Sequence, residues 1–188
     1  MTPPAAIATQ AATKSAWKID TTHTHAEFAV RHLMISTVKG RFADVQGVVH
    51  IDESDFTKSD VQVTIGVASI DTREPQRDAH LRSADFFDVD NFPQLTFRST
   101  RIDGKGEAFK VVGDLTIRGT TREVVLDVST EGRTKDPWGG ERAGFTAATK
   151  IKRTDYGLLW NQLLESGGVL VGEEVKISID IELIKQSS

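Results

Sequence analysis

Most of this chain obeys one rule: an apolar side chain returns at every second residue. The last run is the plainest, with Val175, Ile177, Ile179, Ile181 and Leu183 alternating with Lys176, Ser178, Asp180 and Glu182. A strand sends successive side chains to opposite faces, so such a run is a strand with one oily face and one wet face. The same beat starts at Trp17-Lys-Ile19 and continues through Ala26, Phe28, Val30 and His32. It recurs in Val45 to Ile51, Val61 to Val67, Leu95 to Ser99, Phe109 to Ile117, Val124 to Val128 and Ala143 to Ile151. Gly40, inside Val38 to Phe42, points to a bulge or sharp bend. Most connections are short and turn-like, such as Asp103-Gly-Lys-Gly106, and short turns favour antiparallel neighbours. One-sided antiparallel sheet must pack on a second sheet or close on itself. Closure removes exposed edges, and no strand carries edge protection such as an interior proline. The expectation is an all-β fold: a single antiparallel β-barrel of about eight strands over residues 15–188.

Two stretches break the beat. In Asp71 to Pro93, Thr72 suits an N-cap, and Glu74 and Pro75 suit a first helical turn. Arg77, His80, Leu81, Ala84 and Phe87 then share one helical face, so this helix reads either as a plug for the core, through Leu81, Ala84 and Phe87, or as a lid across the end of the barrel. Asp88 to Pro93 ends it. In Tyr156 to Glu165, Leu159, Trp160 and Leu163 suit a second short helix, ended by Gly167-Gly168.

Composition narrows the function. The net charge is -4, with no cluster of Lys and Arg, so no nucleic-acid partner is expected. There is no cysteine, which removes disulfides and thiolate chemistry. Residues 1–14 are small and polar and read as a flexible tail, without the basic and apolar regions of a secretory signal. No stretch is long enough for a transmembrane helix, and the expected location is cytoplasmic. No GxSxG, P-loop or GxGxxG motif occurs, so no catalytic residue is nominated. His23 and His25 would share a strand face while His32 would not. This spacing is weak as a metal signal, and no metal site is assigned.

Several motifs carry a resemblance. Asp20-Thr-Thr-His23-Thr24, Phe28-Ala-Val30-Arg-His32 and Val38-Lys-Gly-Arg-Phe42 open it. Ser69-Ile-Asp-Thr72, Arg77-Asp-Ala-His80-Leu81, Asp85-Phe-Phe-Asp88 and Phe92-Pro-Gln-Leu-Thr-Phe97 continue it. Gly113 to Gly119 and Arg153-Thr-Asp155-Tyr-Gly157 complete it. In this order they resemble the YceI-like polyisoprenoid-binding family from about Trp17 to Leu183. The resemblance implies a lipocalin-like barrel whose apolar interior holds a long polyprenyl chain, with no established reaction. Many relatives carry a secretory signal, and this sequence departs from them there.

A lipid of this kind would bury its tail and leave its polar head at the mouth. Arg77 and His80 on the lid, with Arg153, are the head-group candidates, since arginine's planar fork suits phosphate. Tail and cavity candidates are Phe28, Val30, His32, Val63, Ile65, Val67 and Leu81. Phe87, Phe97, Leu115, Ile117, Phe145, Trp160 and Leu163 complete the set. No cofactor is expected beyond the bound polyisoprenoid lipid. The competing readings are an interaction module with a solid core and an unrecognised enzyme acting on prenyl lipids. A homodimer is left open.

Overall fold

A computed structural model describes residues 14–187. Eleven strands and one α-helix follow in chain order. They are β1 (Lys14–Ile19), β2 (His25–His32), β3 (Ser36–Phe42), β4 (Val45–Asp52), β5 (Asp60–Gly66) and β6 (Ile70–Asp71). Then come α1 (Pro75–Arg82), β7 (Gln94–Asp103), β8 (Ala108–Ile117), β9 (Thr120–Lys135), β10 (Glu141–Lys152) and β11 (Val171–Lys185). The expected tail falls outside the described residues, except that Lys14 already belongs to β1.

All pairings are antiparallel, as the short turns imply. Eight strands close a ring in the order β1-β4-β5-β7-β8-β9-β10-β11, with β11 returning to β1. The remaining three, β2, β3 and β6, extend from β11. The branching follows from the length of β11. Its first part pairs with β2 from Val171↔His32 to Asp180↔His25, and its last residues pair with β1 at Leu183↔Ile19, Ile184↔Lys18 and Lys185↔Trp17. The barrel wall therefore has a tier built on β1 and a tier built on β2. At the second tier the outer edge of β3 meets only two residues of β6, Arg41↔Asp71 and Phe42↔Ile70.

The segment 67–93, with α1, fills the wall beyond that edge. Val67 N–H donates to the Pro93 carbonyl, Arg82 donates to the carbonyls of Ala68 and Ile70, and Phe87 meets Phe42 edge-on. α1 starts later and ends earlier than its sequence pattern implies. Glu74, not Thr72, is the N-cap and accepts the N–H groups of Gln76 and Arg77. Thr72 is buried and donates its N–H and hydroxyl to Asp78, the one buried residue of the helix. Phe86 and Phe87 come from the turn after α1, because the helix stops at Arg82.

The second expected helix is absent. Residues 153–156 make one 3₁₀ turn, closed by Gly157 at φ 77°. The chain then runs irregularly to a single bridge between Leu163 and Val169. Gly40 makes no bulge: it pairs in register with Phe28, and a Cβ there would overlap the Phe28 ring. Among the described residues no helix is long and apolar enough to cross a membrane.

Candidate functional site

The barrel encloses a cavity of about 250 Å³. Alternation along each strand turns one row of side chains into it. Phe28 and Val30 reach it from β2, Val63 and Ile65 from β5, and Phe97 from β7. Leu115 and Ile117 reach it from β8, Phe145 from β10, Leu81 from α1 and Phe87 from the turn behind it. Ile177, Ile179 and Ile181 of β11 complete the wall; they stand in the clearest apolar row of the sequence, although the candidate set omits them. Phe56, set in a polar loop, also lines it and carries no sequence signal.

Phe28, Val63, Ile65, Leu115 and Ile179 face inward yet are only half-buried. A close-packed interior would bring them near zero exposure. They keep accessible surface because open space lies against them.

The ends are closed differently. At the β1 end Trp17 is fully buried, with the Arg133 guanidinium 5.2 Å from its ring centre. Phe56 and Phe109 meet edge-on at 4.8 Å in the cavity lining. At the α1 end Phe86 contributes to the lining and joins Trp160 and His80 in an aromatic cluster.

The head-group candidates are all engaged within the protein. Arg153 is 5% exposed. Its guanidinium donates to the carbonyls of Gly172 (2.8 Å), Leu158 (2.6 Å), Trp160 (2.9 Å) and Val171 (3.2 Å). It borders the cavity but is turned onto the loop it ties to β11, and burial lowers its pKa. Arg77 donates to the hydroxyl and the carbonyl of Thr72. His80 Nε2 lies 2.8 Å from Asp85. Neither arginine stands free at a mouth.

Four tail candidates lie off the wall. Leu163 is 82% exposed, because its segment is a loop rather than a helix packed inward. Val67 is fully buried, having left β5 for a 3₁₀ turn. His32, the last residue of β2, falls beyond the cavity, and Trp160 packs on His80 and Phe86 outside it.

Several polar groups of the wall are also spent. Thr24 bonds to the backbone of Glu182, Ser59 to Asp52 N–H and Thr149 to the Val125 carbonyl. Tyr156 is buried with its hydroxyl unpaired; burial, then Asp155, pushes its pKa up to about 12, so it stays protonated. Among the described residues no histidine, cysteine or lysine lines the cavity. The wall thus offers apolar contact and almost no chemistry.

Outside the cavity, Asp20, His23 and Glu182 place three ligand-type atoms within 4.8 Å of one another. Arg142 already joins this group, donating to Asp20 (2.7 Å), Glu182 (2.6 Å) and Asp136 (3.1 Å). Burial works against ionising Asp20, but hydrogen bonds from Thr22, His23 and Arg142 prevail and hold it well below the usual carboxylate range. Glu182, then Asp20 and Asp136, raise the pKa of Arg142. The three carboxylates are gathered as a network around one guanidinium. His23 sits in a turn and binds Asp20 rather than sharing a strand face with His25.

Comparison with known proteins agrees with this architecture. Residues 17–183 match the YceI-like domain. The protein YceI of Salmonella newport (strain SL254) is 39% identical over 180 residues, spanning 95% of this chain and 91% of that one. The crystal structure of the Campylobacter jejuni YceI protein superposes with a TM-score of 0.71 at 32% identity, covering 84% of this chain and 90% of that one. A polyisoprenoid binding domain from Saccharophagus degradans has the same fold, with a TM-score of 0.63 at 17% identity over 92% of this chain and all (100%) of that one. With the domain matched from the first strand to the last, the chain belongs to the YceI-like family.

Proposed function

We propose that the barrel binds the hydrocarbon tail of a polyisoprenoid lipid and carries or stores it without chemical change. The observation behind this reading is the lining: aliphatic and aromatic side chains around open space, with Ser59, Thr149 and Arg153 beside them bonded to the protein itself. Burial of apolar groups yields about 0.8 kcal/mol per CH₂. Roughly ten buried groups would give about 8 kcal/mol gross, a micromolar scale before association costs. Among the described residues a charged head finds no free cation inside, only the Tyr156 hydroxyl, and stays outside. Polyprenyl pyrophosphates and isoprenoid quinones both fit, because the wall recognises only the tail. The binding named for the Saccharophagus domain supports the same ligand class.

Native mass spectrometry of the purified protein should reveal a co-purifying species of prenyl mass. An empty protein that also takes up no polyprenol after delipidation sinks the proposal. Ile65 lies on the wall of β5, opposite Leu95 in the ladder. Ile65→Trp should therefore block uptake by at least about tenfold while folding survives, since the added ring has open space to enter. Undiminished uptake by a folded Ile65→Trp protein would place the tail elsewhere.

A further inference from the structure

The α1 end of the barrel also carries an exposed apolar rim. At the tip of the β2–β3 turn, Met34 is 52% and Ile35 80% exposed. Across from them, in the loop that leads to β11, Leu159 is 66% and Leu163 82% exposed. These two segments form one ledge. Leu33 N–H donates to the Leu170 carbonyl at 2.8 Å, and Leu163 is bridged to Val169. The ledge continues into the cavity, because Leu158 and Val171, beside its exposed residues, line the interior.

The ledge is held in place. Arg31 donates to the Met34 carbonyl at 2.7 Å, Arg118 to that of Gly157 at 3.2 Å and Arg122 to that of Asp155 at 3.4 Å. Leu33 and Met34 both have positive φ, 52° and 59°, a conformation that glycine or asparagine adopts at less cost. Strain of this kind persists where the surroundings impose it. Here its effect is to present Met34 and Ile35 at the tip. Among the described residues, no carboxylate lies within ion-pairing distance of Arg31, Arg118 or Arg122, in contrast to Arg142 and Arg133 nearer the other end.

We propose that this rim docks on a lipid bilayer containing anionic phospholipid, with the aliphatic tips inserted and the three arginines facing lipid phosphates. The proposal rests on the carrier reading and adds the surface from which the cavity is filled. Four aliphatic side chains present on the order of 100 Å² of apolar surface each. Their sum is about half of the roughly 800 Å² per partner that a stable protein interface buries. Separate tips on two turns suit a fluid apolar phase better than a flat partner. The guanidinium groups around them are bonded to carbonyls but, among the described residues, to no carboxylate, so their positive charge is not neutralised by a direct ion pair and matches an anionic surface. A prenyl tail could then pass from bilayer to cavity without crossing water.

The test is flotation of the full chain with vesicles of phosphatidylcholine alone or mixed with phosphatidylglycerol. The intact protein should float with the mixed vesicles, and less as salt is raised. A protein carrying Ile35→Asp and Leu163→Asp should bind at least about tenfold more weakly with unchanged thermal stability, since both positions are exposed. Trp138→Ala, in the connection between β9 and β10 at the opposite end, should bind like the parent. Absence of flotation, or equal flotation of the doubly substituted protein, overturns the proposal. So does a dimer in solution that these two substitutions dissociate, which would assign the rim to a second copy. If polyprenol delivered from detergent fills the cavity while vesicles are ignored, docking fails and the carrier reading stands. Vesicle binding without any tail uptake supports docking and overturns the carrier reading.

Discussion

Arg153→Met is the most informative single change. The side chain is 5% exposed and gives four hydrogen bonds to carbonyls on both sides of the loop it fastens. A bond from a charged donor contributes about 1.5–3 kcal/mol, so four amount to about 6–12 kcal/mol gross. They share one side chain, and the loop can move its carbonyls out to water once released. The net cost is therefore nearer about 3–5 kcal/mol. For a domain of this size each kcal/mol moves Tm by about 2–4 °C, so the midpoint should fall by about 6–20 °C. Scanning calorimetry measures the fall, and hydrogen exchange should locate the loosening between Leu158 and Gly172. Arg153→Lys keeps a charge but not the planar fork, and should recover only part of the loss. A midpoint within about 2 °C of the parent, joined to a selective loss of affinity for charged prenyl lipids, would refute this reasoning. It would return Arg153 to the ligand.

Two further changes probe the frame. A Cβ on Gly40 would overlap the Phe28 ring and come within 2.9 Å of the Thr72 methyl, so Gly40→Ala should cost about 1–3 kcal/mol in urea unfolding. Adding Phe28→Leu should recover part of that cost, and additive losses in the double variant would show that the two do not touch. Asp20 is held below its unfolded value of 3.8, so its contribution is complete above that value and is lost as pH falls through the lower folded value. The stability gap between the parent and Asp20→Asn should then narrow from about pH 7 to about pH 2, and an equal gap at both would contradict the assignment.

Much of the barrel is legible in the sequence because a period of two is a direct record of which face is buried. Ile177, Ile179 and Ile181 stand on the wall for the reason their spacing gives. The misreadings share a cause: local pattern does not report tertiary partners. Leu159, Trp160 and Leu163 have helical spacing, but Arg153 claims the carbonyls of Leu158 and Trp160, two residues apart, for side-chain bonds. Thr72 has the chemistry of a cap, yet Asp78, six residues on, takes both of its donors. Arg77 and Arg153 read as head-group candidates or as members of ion pairs, because nothing in sequence marks a guanidinium spent on carbonyls. The division of β11 between two partners is equally invisible, since both halves of the strand carry the same alternation.

That division gives the enclosure two mechanical characters. At the level of β1, strands bond to strands around the full circumference, and a closed ladder fixes its girth. At the level of β2 the circuit is interrupted where segment 67–93 stands in for a strand, joined by a few carbonyl bonds and by aromatic contact. Swelling there separates side chains and unzips no ladder longer than the two residues of β6. One storey of the vessel has a set bore, and the other can adjust to its contents.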